Sequence, residues 1–165
     1  MAIREILTYP DPRLTLTASP VNTFDDSLQQ LVDDMLETLA QQQAIGLSAT
    51  QVDDQRNVLV IHPPGASDGP EVFINPTIVS KAMWGFVEES CLSVPGVVGS
   101  VIRATQVEAK AQDRTGVPFS RTLSGMGAVC LQHEMDHLNG KLFIDRFSLF
   151  GRWRAHRAAR RHAAA

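Results

Sequence analysis

The stretch QHEMDHLNG, residues 132–140, constrains the fold and chemistry of this chain more than any other part of its sequence. His133 and His137 are four residues apart, so on a helix both imidazoles lie on one face, about a turn from each other. That spacing suits two nitrogen ligands of one metal ion, and Glu134 beside them is placed to act as a general base. The stretch therefore predicts a helix that carries a metal site and ends at Asn139-Gly140.

The alternative for the two histidines is a pair of satisfied side chains in an ordinary core. The predicted helix spans about residues 125–138, with Ser124 as its cap. Its histidine face also carries Met126, Val129 and Cys130, so this face points inward. Unpaired imidazoles there would have a large desolvation cost. That cost favours metal binding over a pair of core histidines.

Two further helices are predicted, one towards each end of the chain. Apolar residues recur with a helical period from about 25 to 43, and Thr23 with Asp26 would form a capping pair at the start. After residue 147 the sequence is rich in alanine and arginine, which predicts a frayed helix on the surface.

The middle of the chain, from 45 to 123, has short β-type runs separated by turn residues. Strands are predicted at 57–62, 71–80, 101–113 and 117–123. Residues 114–116, Arg-Thr-Gly, predict a hairpin turn between the last two strands. The predicted class is α+β, with mostly antiparallel sheets around the central HExxH helix, an N-terminal helix and a C-terminal basic helix.

Length and charge divide the chain into an acidic body and a basic tail. Its 165 residues suffice for one domain, and we expect a catalytic domain over 1–147 with a basic, helical tail over 148–165. Residues 1–145 hold all 18 acidic side chains and nine of the 15 basic ones, whereas 146–165 hold six arginines and no acid. The body should therefore repel a polyanion such as DNA, whereas the tail could contact one.

Cysteine content and hydropathy favour a cytoplasmic protein. The sequence has two cysteines, Cys91 and Cys130, too few for a disulfide framework. The N-terminal sequence lacks the apolar segment of a secretory signal, and no apolar run approaches the roughly 20 residues of a membrane span. We therefore expect a reducing compartment, the cytoplasm, and no membrane contact.

A catalytic metal of this kind needs a third protein ligand, which the motif itself does not supply. Phe143 stands where the metzincin pattern has its third histidine, and no acidic residue follows Asp145, where a thermolysin-like pattern would need one. The candidates elsewhere are Cys91, Cys130, His62, Glu88, Glu89, His156 and His162. Local context favours Cys91 over Cys130 only modestly, because a free cysteine on a buried helix face is more often a small apolar residue.

Three segments together resemble the motifs of the peptide deformylase family. They are IGLSATQV (45–52), ESCLS (89–93) and QHEMDHLNG (132–140), in the family's order and at its separations. The resemblance extends over the chain from LTYPDPRL to GKLFIDR. It implies a metal-dependent hydrolase that removes the N-formyl group from N-formylmethionyl nascent polypeptides and releases formate.

The resemblance also implies roles for particular residues. The implied metal ligands are Cys91, His133 and His137. Fe(II) is implied as the native metal, and Zn, Ni or Co also suit these ligand types. Glu134 is implied as general base and later general acid, with the Gln51 side chain and the Leu92 backbone N–H as oxyanion donors. The residues expected against the substrate are Ile45, Gly46, Glu89, Val129 and Cys130. Gly46 would meet the peptide backbone, while the apolar members could equally be ordinary core.

The chain departs from the family pattern at four positions. Ala44 and Ser90 stand where the pattern has glycine. Ser48 stands where it has alanine, and Val98 where many members have a basic residue. Ala44 would matter if its backbone had a positive φ. The departures leave a second possibility, a degenerate deformylase-like paralogue that binds metal or the ribosome with weak or altered activity. A metallopeptidase using the same helix is a third, against which Phe143 argues.

The tail has a candidate partner of its own. Its arginines are Arg152, Arg154, Arg157, Arg160 and Arg161. Because deformylases act on chains that emerge from the ribosome, the resemblance makes ribosomal RNA a candidate partner for these side chains. A solvated, charged helix without a partner is an equal alternative.

Overall fold

The helices and strands largely follow the segments marked by hydrophobic periodicity. The computed structural model describes residues 2–163. Its helices are α1 (Asp26–Gln41), α2 (Met126–Leu138) and α3 (Leu149–Ala163). Its strands are β1 (Gly46–Ser48), β2 (Val58–Ile61), β3 (Glu71–Ser90), β4 (Val98–Gln112) and β5 (Pro118–Ser124). Short 3-10 turns cover Pro12–Thr15, Ala49–Val52 and Phe143–Arg146. The predicted α+β class is confirmed.

The five strands form one antiparallel sheet in the order β1-β2-β3-β4-β5. β3 and β4 make a long hairpin whose pairing runs from Ile74 opposite Gln112 to Ser90 opposite Val98. The segment 91–97 closes this hairpin. The sheet therefore places the loop that begins with Cys91 at the end of its two longest strands.

α1 packs its apolar stripe on the sheet, but the predicted capping pair is wrong. The buried apolar residues of α1 are Leu28, Leu31, Val32, Met35 and Leu39. The N-cap is Asp25, whose carboxylate accepts a hydrogen bond from Leu28 N–H at 3.0 Å. Asp26, the expected partner of Thr23, is instead the first helical residue. The Asp25 carboxylate, two residues further along the chain, reaches the free N–H groups better than Thr23 would.

α2 lies at the centre of the domain, against β4, β1 and β2. Its Leu131 is fully buried with Leu59 and Phe73 of the sheet. The helix ends as predicted, because Asn139 is its C-cap and Gly140 follows with φ of 67°. This left-handed conformation suits glycine.

The start of α2 differs from the prediction. Ser124 is the last residue of β5, so its backbone pairs with Gln106 of β4 rather than capping the helix. Gly125, with φ of 57° and ψ of −129°, makes the turn from strand to helix. That conformation is accessible to glycine and strained for other residues, which explains a glycine at the entry of the helix.

α3 is a surface helix, as predicted, but it is packed on the body along one side rather than frayed. Ala155 and Ala159 are buried in a cluster that also contains Val94. His156 Nδ1 lies 2.9 Å from Tyr9 Oη, which joins α3 to the N-terminal segment. Residues 164 and 165 of the predicted tail lie outside the described residues. Within 2–163, no helix has the length and apolar character to cross a membrane.

Candidate metal centre and active site

Cys91, His133 and His137 converge in one cluster. Their possible ligand atoms all lie within 4.8 Å of one another, and Cys91 Sγ is 3.2 Å from His137 Nε2. The cysteine comes from the loop after β3, and both histidines come from adjacent turns of α2. Cys130, the other thiol, donates to the Ile45 carbonyl oxygen at 3.1 Å. The structure thus brings Cys91 to the histidines as the third donor.

The remaining third-ligand candidates have other surroundings. His62 is exposed after β2, and Glu88 is exposed near the end of β3. His156 and His162 lie on α3, where His156 contacts Tyr9 and His162 packs beside the loop after Cys91.

Glu89 supports His133 from the side away from the other donors. Its Oε2 lies 2.7 Å from His133 Nδ1, which fixes the ring and leaves Nε2 for a metal. Arg103 donates to both carboxylate oxygens, at 2.6 and 3.0 Å. Burial raises the pKa of Glu89, but these hydrogen bonds outweigh it and keep the pKa below its ordinary value. With both oxygens engaged, Glu89 can act as an anionic support of His133, and the substrate contact expected of it stays a prediction.

Arg103 is the functional residue that sequence reasoning missed. It is fully buried and also donates to Asp136 Oδ2 at 2.7 Å, while Arg146 pairs with Asp136 from the other side. These contacts tie β4 to α2 directly behind the histidines. The alternation of β4 could have indicated it, because Arg103 is two residues after the inward-facing Val101 and therefore also faces inward.

Glu134 is buried beside the cluster and lines the adjoining cavity. Its Oε2 has no hydrogen-bond partner among residues 2–163. Burial raises the pKa of Glu134 to about 7, against the charges of His133 and His137, which lower it. A carboxyl group with a pKa near neutrality can both take and return a proton.

The donor set fits a divalent transition metal. Burial alone would raise the pKa of the Cys91 thiol, but the charge and hydrogen bonds of His137 and His133 outweigh it and lower the pKa to about 5. One thiolate and two imidazoles suit Fe(II), Zn, Ni or Co. Three protein ligands leave a coordination position open, as a catalytic metal requires. Glu134 Oε2, which has no hydrogen-bond partner in the described part of the chain, lies beside them and could accept a proton from a metal-bound water.

Both expected oxyanion donors lie at the cluster. Gln51 is buried, and its Nε2 donates to Ser93 Oγ at 3.1 Å and lies 3.8 Å from Cys91 Sγ. Leu92 follows Cys91 within a turn that a hydrogen bond from Val94 N–H to the Cys91 carbonyl closes at 3.0 Å. Their positions agree with the expected role, which stays a prediction.

A cavity of about 550 Å³ opens onto the cluster. Its walls include all five of the residues expected against the substrate, namely Ile45, Gly46, Glu89, Val129 and Cys130. Leu92 and Met126 add further apolar surface. An apolar cavity with a few polar groups at one end is the usual form of a site that binds a small ligand.

The four departures from the family pattern lie in different surroundings. The φ angle of Ala44 is not positive. The residue of that segment in the left-handed region is its neighbour Gln43, with φ of 50°. Ser90 pairs with Val98 at the end of the long hairpin, and both are exposed. Ser48 is fully buried beside Gln51. None of these four substitutions displaces a donor of the cluster.

The HExxH helix holds a buried carboxylate, Glu134, beside the side chains of Cys91, His133 and His137, which converge as the ligands of a metal would, and this arrangement is typical of metal-dependent hydrolases. Its sequence matches the family model of polypeptide deformylase over residues 3–153. The chain belongs to the polypeptide deformylase family.

Relatives and solved structures agree with this assignment. The peptide deformylase of Chromobacterium violaceum is 51% identical over 148 residues, which cover 90% of this chain and 89% of that protein. That of Pseudomonas aeruginosa is 47% identical over 154 residues, covering 92% and 91%. A crystal structure of the Legionella pneumophila peptide deformylase has a TM-score of 0.93 at 45% identity, covering 99% and 96%. The Ehrlichia chaffeensis peptide deformylase in complex with actinonin also has a TM-score of 0.93, at 35% identity over 100% of both chains. The expected family is confirmed.

Proposed function

We propose that this enzyme removes the N-formyl group from N-formylmethionyl nascent polypeptides and releases formate. The observation that carries the proposal is the placement of Glu134 beside the Cys91–His133–His137 cluster where the cavity opens. The similarity to peptide deformylases supports the same reaction.

Each step of the hydrolysis has a residue suited to it. A divalent metal on the three ligands would polarise the formyl oxygen and lower the pKa of a water molecule. Glu134 would take the proton of the attacking water and later return it to the departing amine. Gln51 Nε2 and Leu92 N–H would donate to the substrate oxygen as its negative charge develops. Glu89 would keep His133 oriented throughout.

The methionine side chain would occupy the apolar part of the cavity. Ile45, Met126 and Val129 line this part. The formyl group carries no side chain, so discrimination between substrates has to come from the residue attached to it. At Gly46 an added Cβ would lie 2.5 Å from Glu134 Oε1, so the glycine leaves the substrate backbone room to approach the base.

Fe(II) is the native metal in this proposal, and the cytoplasm is the compartment. The thiolate and imidazole ligands support Fe(II), although they also suit Zn, Ni and Co. The two free cysteines, Cys91 and Cys130, suit a reducing compartment, where nascent chains are also found. Metal analysis of enzyme purified from cells without oxygen tests the identity of the metal.

Formate release from formyl-Met-Ala-Ser tests the proposed reaction. Enzyme loaded with Fe(II) in the absence of oxygen should release formate and leave Met-Ala-Ser intact. A chelator should stop the reaction, and added Fe(II) should restore it. A metal-loaded protein that releases no formate would contradict the proposal and favour the degenerate paralogue. Cleavage of an internal peptide bond would favour a peptidase.

We further propose that α3 contacts ribosomal RNA. Arg154 lies over the Phe150 ring at 5.9 Å and Arg157 over the Trp153 ring at 5.4 Å. All four side chains are exposed. Arginines interleaved with aromatic rings offer both charge for phosphates and flat surfaces for unpaired bases.

A further inference from the structure

The Gln51 side chain is fixed at both ends of its amide. Its Oε1 accepts hydrogen bonds from Ser48 N–H and from the Ser48 hydroxyl, each at 2.9 Å. Its Nε2 donates to Ser93 Oγ at 3.1 Å. Gln51 is 2% exposed, and Ser48 and Ser93 are fully buried. Because water hardly reaches this amide, its protein partners set its orientation.

The Ser48 hydroxyl is the middle member of a chain of hydrogen bonds. Its single proton goes to Gln51 Oε1, so the Thr50 hydroxyl, 3.3 Å away, is the donor to Ser48 Oγ. The chain then continues from the Gln51 amide to Ser93. Hydrogen bonds in series polarise one another in a buried environment. A second donor on Oε1 therefore draws electron density from the amide and makes Nε2–H a stronger donor.

We infer that Ser48 is a positioning residue that holds and polarises the Gln51 amide towards the substrate oxyanion. This inference rests on the proposed function, in which Gln51 Nε2 donates to that oxygen. The Ser48 backbone N–H determines which end of the Gln51 amide faces the cluster. In a flipped amide, the Gln51 NH2 group would lie against this N–H, and two donors would face each other. The hydroxyl adds a second bond to Oε1, which keeps the amide in place when Nε2 turns from Ser93 to the substrate.

Ser48→Ala tests the inference with the loss of one oxygen atom. We expect kcat to fall about 3- to 10-fold, the effect of one buried hydrogen bond. KM and metal content should stay unchanged, because neither the cavity wall nor a ligand is altered. Thr50→Val removes only the outer donor of the chain and should lower kcat by less.

Thr38→Val is the matched control. Thr38 is another fully buried hydroxyl, but its hydrogen bonds are to Arg4 N–H and to the Asp34 carbonyl rather than to the Gln51 amide. Its loss should lower the thermal unfolding midpoint without lowering kcat. A second readout does not depend on turnover: in metal-free protein, the side-chain amide signals of Gln51 should shift in Ser48→Ala and stay in place in Thr38→Val.

A double-mutant cycle with Gln51→Ala separates this inference from the proposed function. Gln51→Ala alone should lower kcat about 10²- to 10³-fold, as loss of an oxyanion donor does. Adding Ser48→Ala should then change kcat by less than about 1.5-fold, because Ser48 acts through the missing amide. An unchanged kcat in Ser48→Ala, or its full loss repeated in the Gln51→Ala background, would overturn the positioning role alone. A parent-like rate of formate release in Gln51→Ala would remove Gln51 from the mechanism and overturn the positioning role of Ser48 with it, whereas the proposed function fails only if the metal-loaded parent releases no formate.

Discussion

The surroundings of Glu134 differ from those of Cys91, His133 and His137, although Glu134 lies between the two histidines in sequence. The donor atoms of Cys91, His133 and His137 converge on one another. Glu134 lines the cavity and has no hydrogen-bond partner for Oε2 among the described residues. In the proposed mechanism, proton transfer at Glu134 is therefore separate from metal binding at the three ligands.

Glu134→Ala should keep the metal and lose hydrolysis. Removal of a general base lowers kcat about 10²- to 10⁴-fold, while the three ligands stay in place. Metal content and formate release, measured on the same preparation, check this expectation. Glu5→Ala, at an exposed carboxylate of the N-terminal segment, is the control and should match the parent. Loss of metal together with activity would give Glu134 a structural role instead.

Gly46→Ala should disturb the site through contact rather than chemistry. A Cβ there would lie 2.5 Å from Glu134 Oε1 and 2.6 Å from Cys130 Sγ, so both side chains, or the backbone at residue 46, must move. We expect a loss of stability of about 1–3 kcal/mol and a lower kcat. Gly85→Ala is the control, since its nearest neighbour, Thr105 Cγ2, is 3.8 Å from the added Cβ. Equal unfolding midpoints for the two variants would show that the structure around Gly46 accommodates the added methyl group without strain.

At the level of secondary-structure elements, hydrophobic periodicity predicted the helices and strands that bury one face in the core. α1 and α2 were predicted within about two residues at each end because their apolar residues recur with the helical period. β1 was missed, since three residues, Gly46–Ser48, are too few to show alternation. β3 was predicted to end at 80, but it continues to Ser90. Its second half is mostly exposed and is held by pairing with β4, so its side chains carry no core pattern.

The candidate site was predictable only in its local part. The spacing of His133 and His137 lies within one helix and needs no tertiary information. Cys91 is 46 residues before His137, so spacing left it one of several candidates, and the resemblance of three motifs selected it. The pairing of Arg103 with Glu89 joins β4 to the end of β3. A local pattern cannot indicate which charges meet across a fold.

Arg103→Met should show how strongly this buried charge holds β4 to α2. It would leave the Glu89 and Asp136 carboxylates buried without their shared partner. We expect the free energy of unfolding of the metal-free protein to fall by about 3–5 kcal/mol in denaturant titrations. Metal affinity should fall about 10- to 100-fold, because His133 loses its support.

The control for this variant is Arg121→Met. Arg121 pairs with Glu71 at the protein surface, where an ion pair contributes at most about 1 kcal/mol. An equal loss of unfolding free energy in Arg103→Met and Arg121→Met would mean that the buried ion pairs of Arg103 stabilise the protein no more than the surface pair of Arg121 does. A loss of stability without weaker metal binding would remove Glu89 from the support of His133.

At the scale of the whole molecule, the basic helix α3 packs on a body that carries all the acidic residues. Residues 1–145 carry the whole acidic content of the chain, and the arginines of α3 follow it. Buried Ala155 and Ala159 fasten α3 to the body. Arg160 Nε also donates to Tyr9 Oη at 3.3 Å. Deletion of the tail would therefore remove core packing along with charge, so substitutions on its outer face are the better test of RNA binding.

Reversal of charge at Arg154 and Arg157 should weaken binding to purified ribosomes and leave the chemistry intact. Each lost phosphate contact should reduce the slope of log K against log salt by about one. Formate release from formyl-Met-Ala-Ser should match the parent, because neither residue lines the catalytic cavity. Lys110→Glu with Lys141→Glu reverses two exposed charges of the body and is the matched control. Because the RNA contact is proposed for the arginines that lie beside the aromatic rings of α3, the control should keep the parent's salt slope. An equal reduction in both variants would assign the binding to net charge rather than to α3.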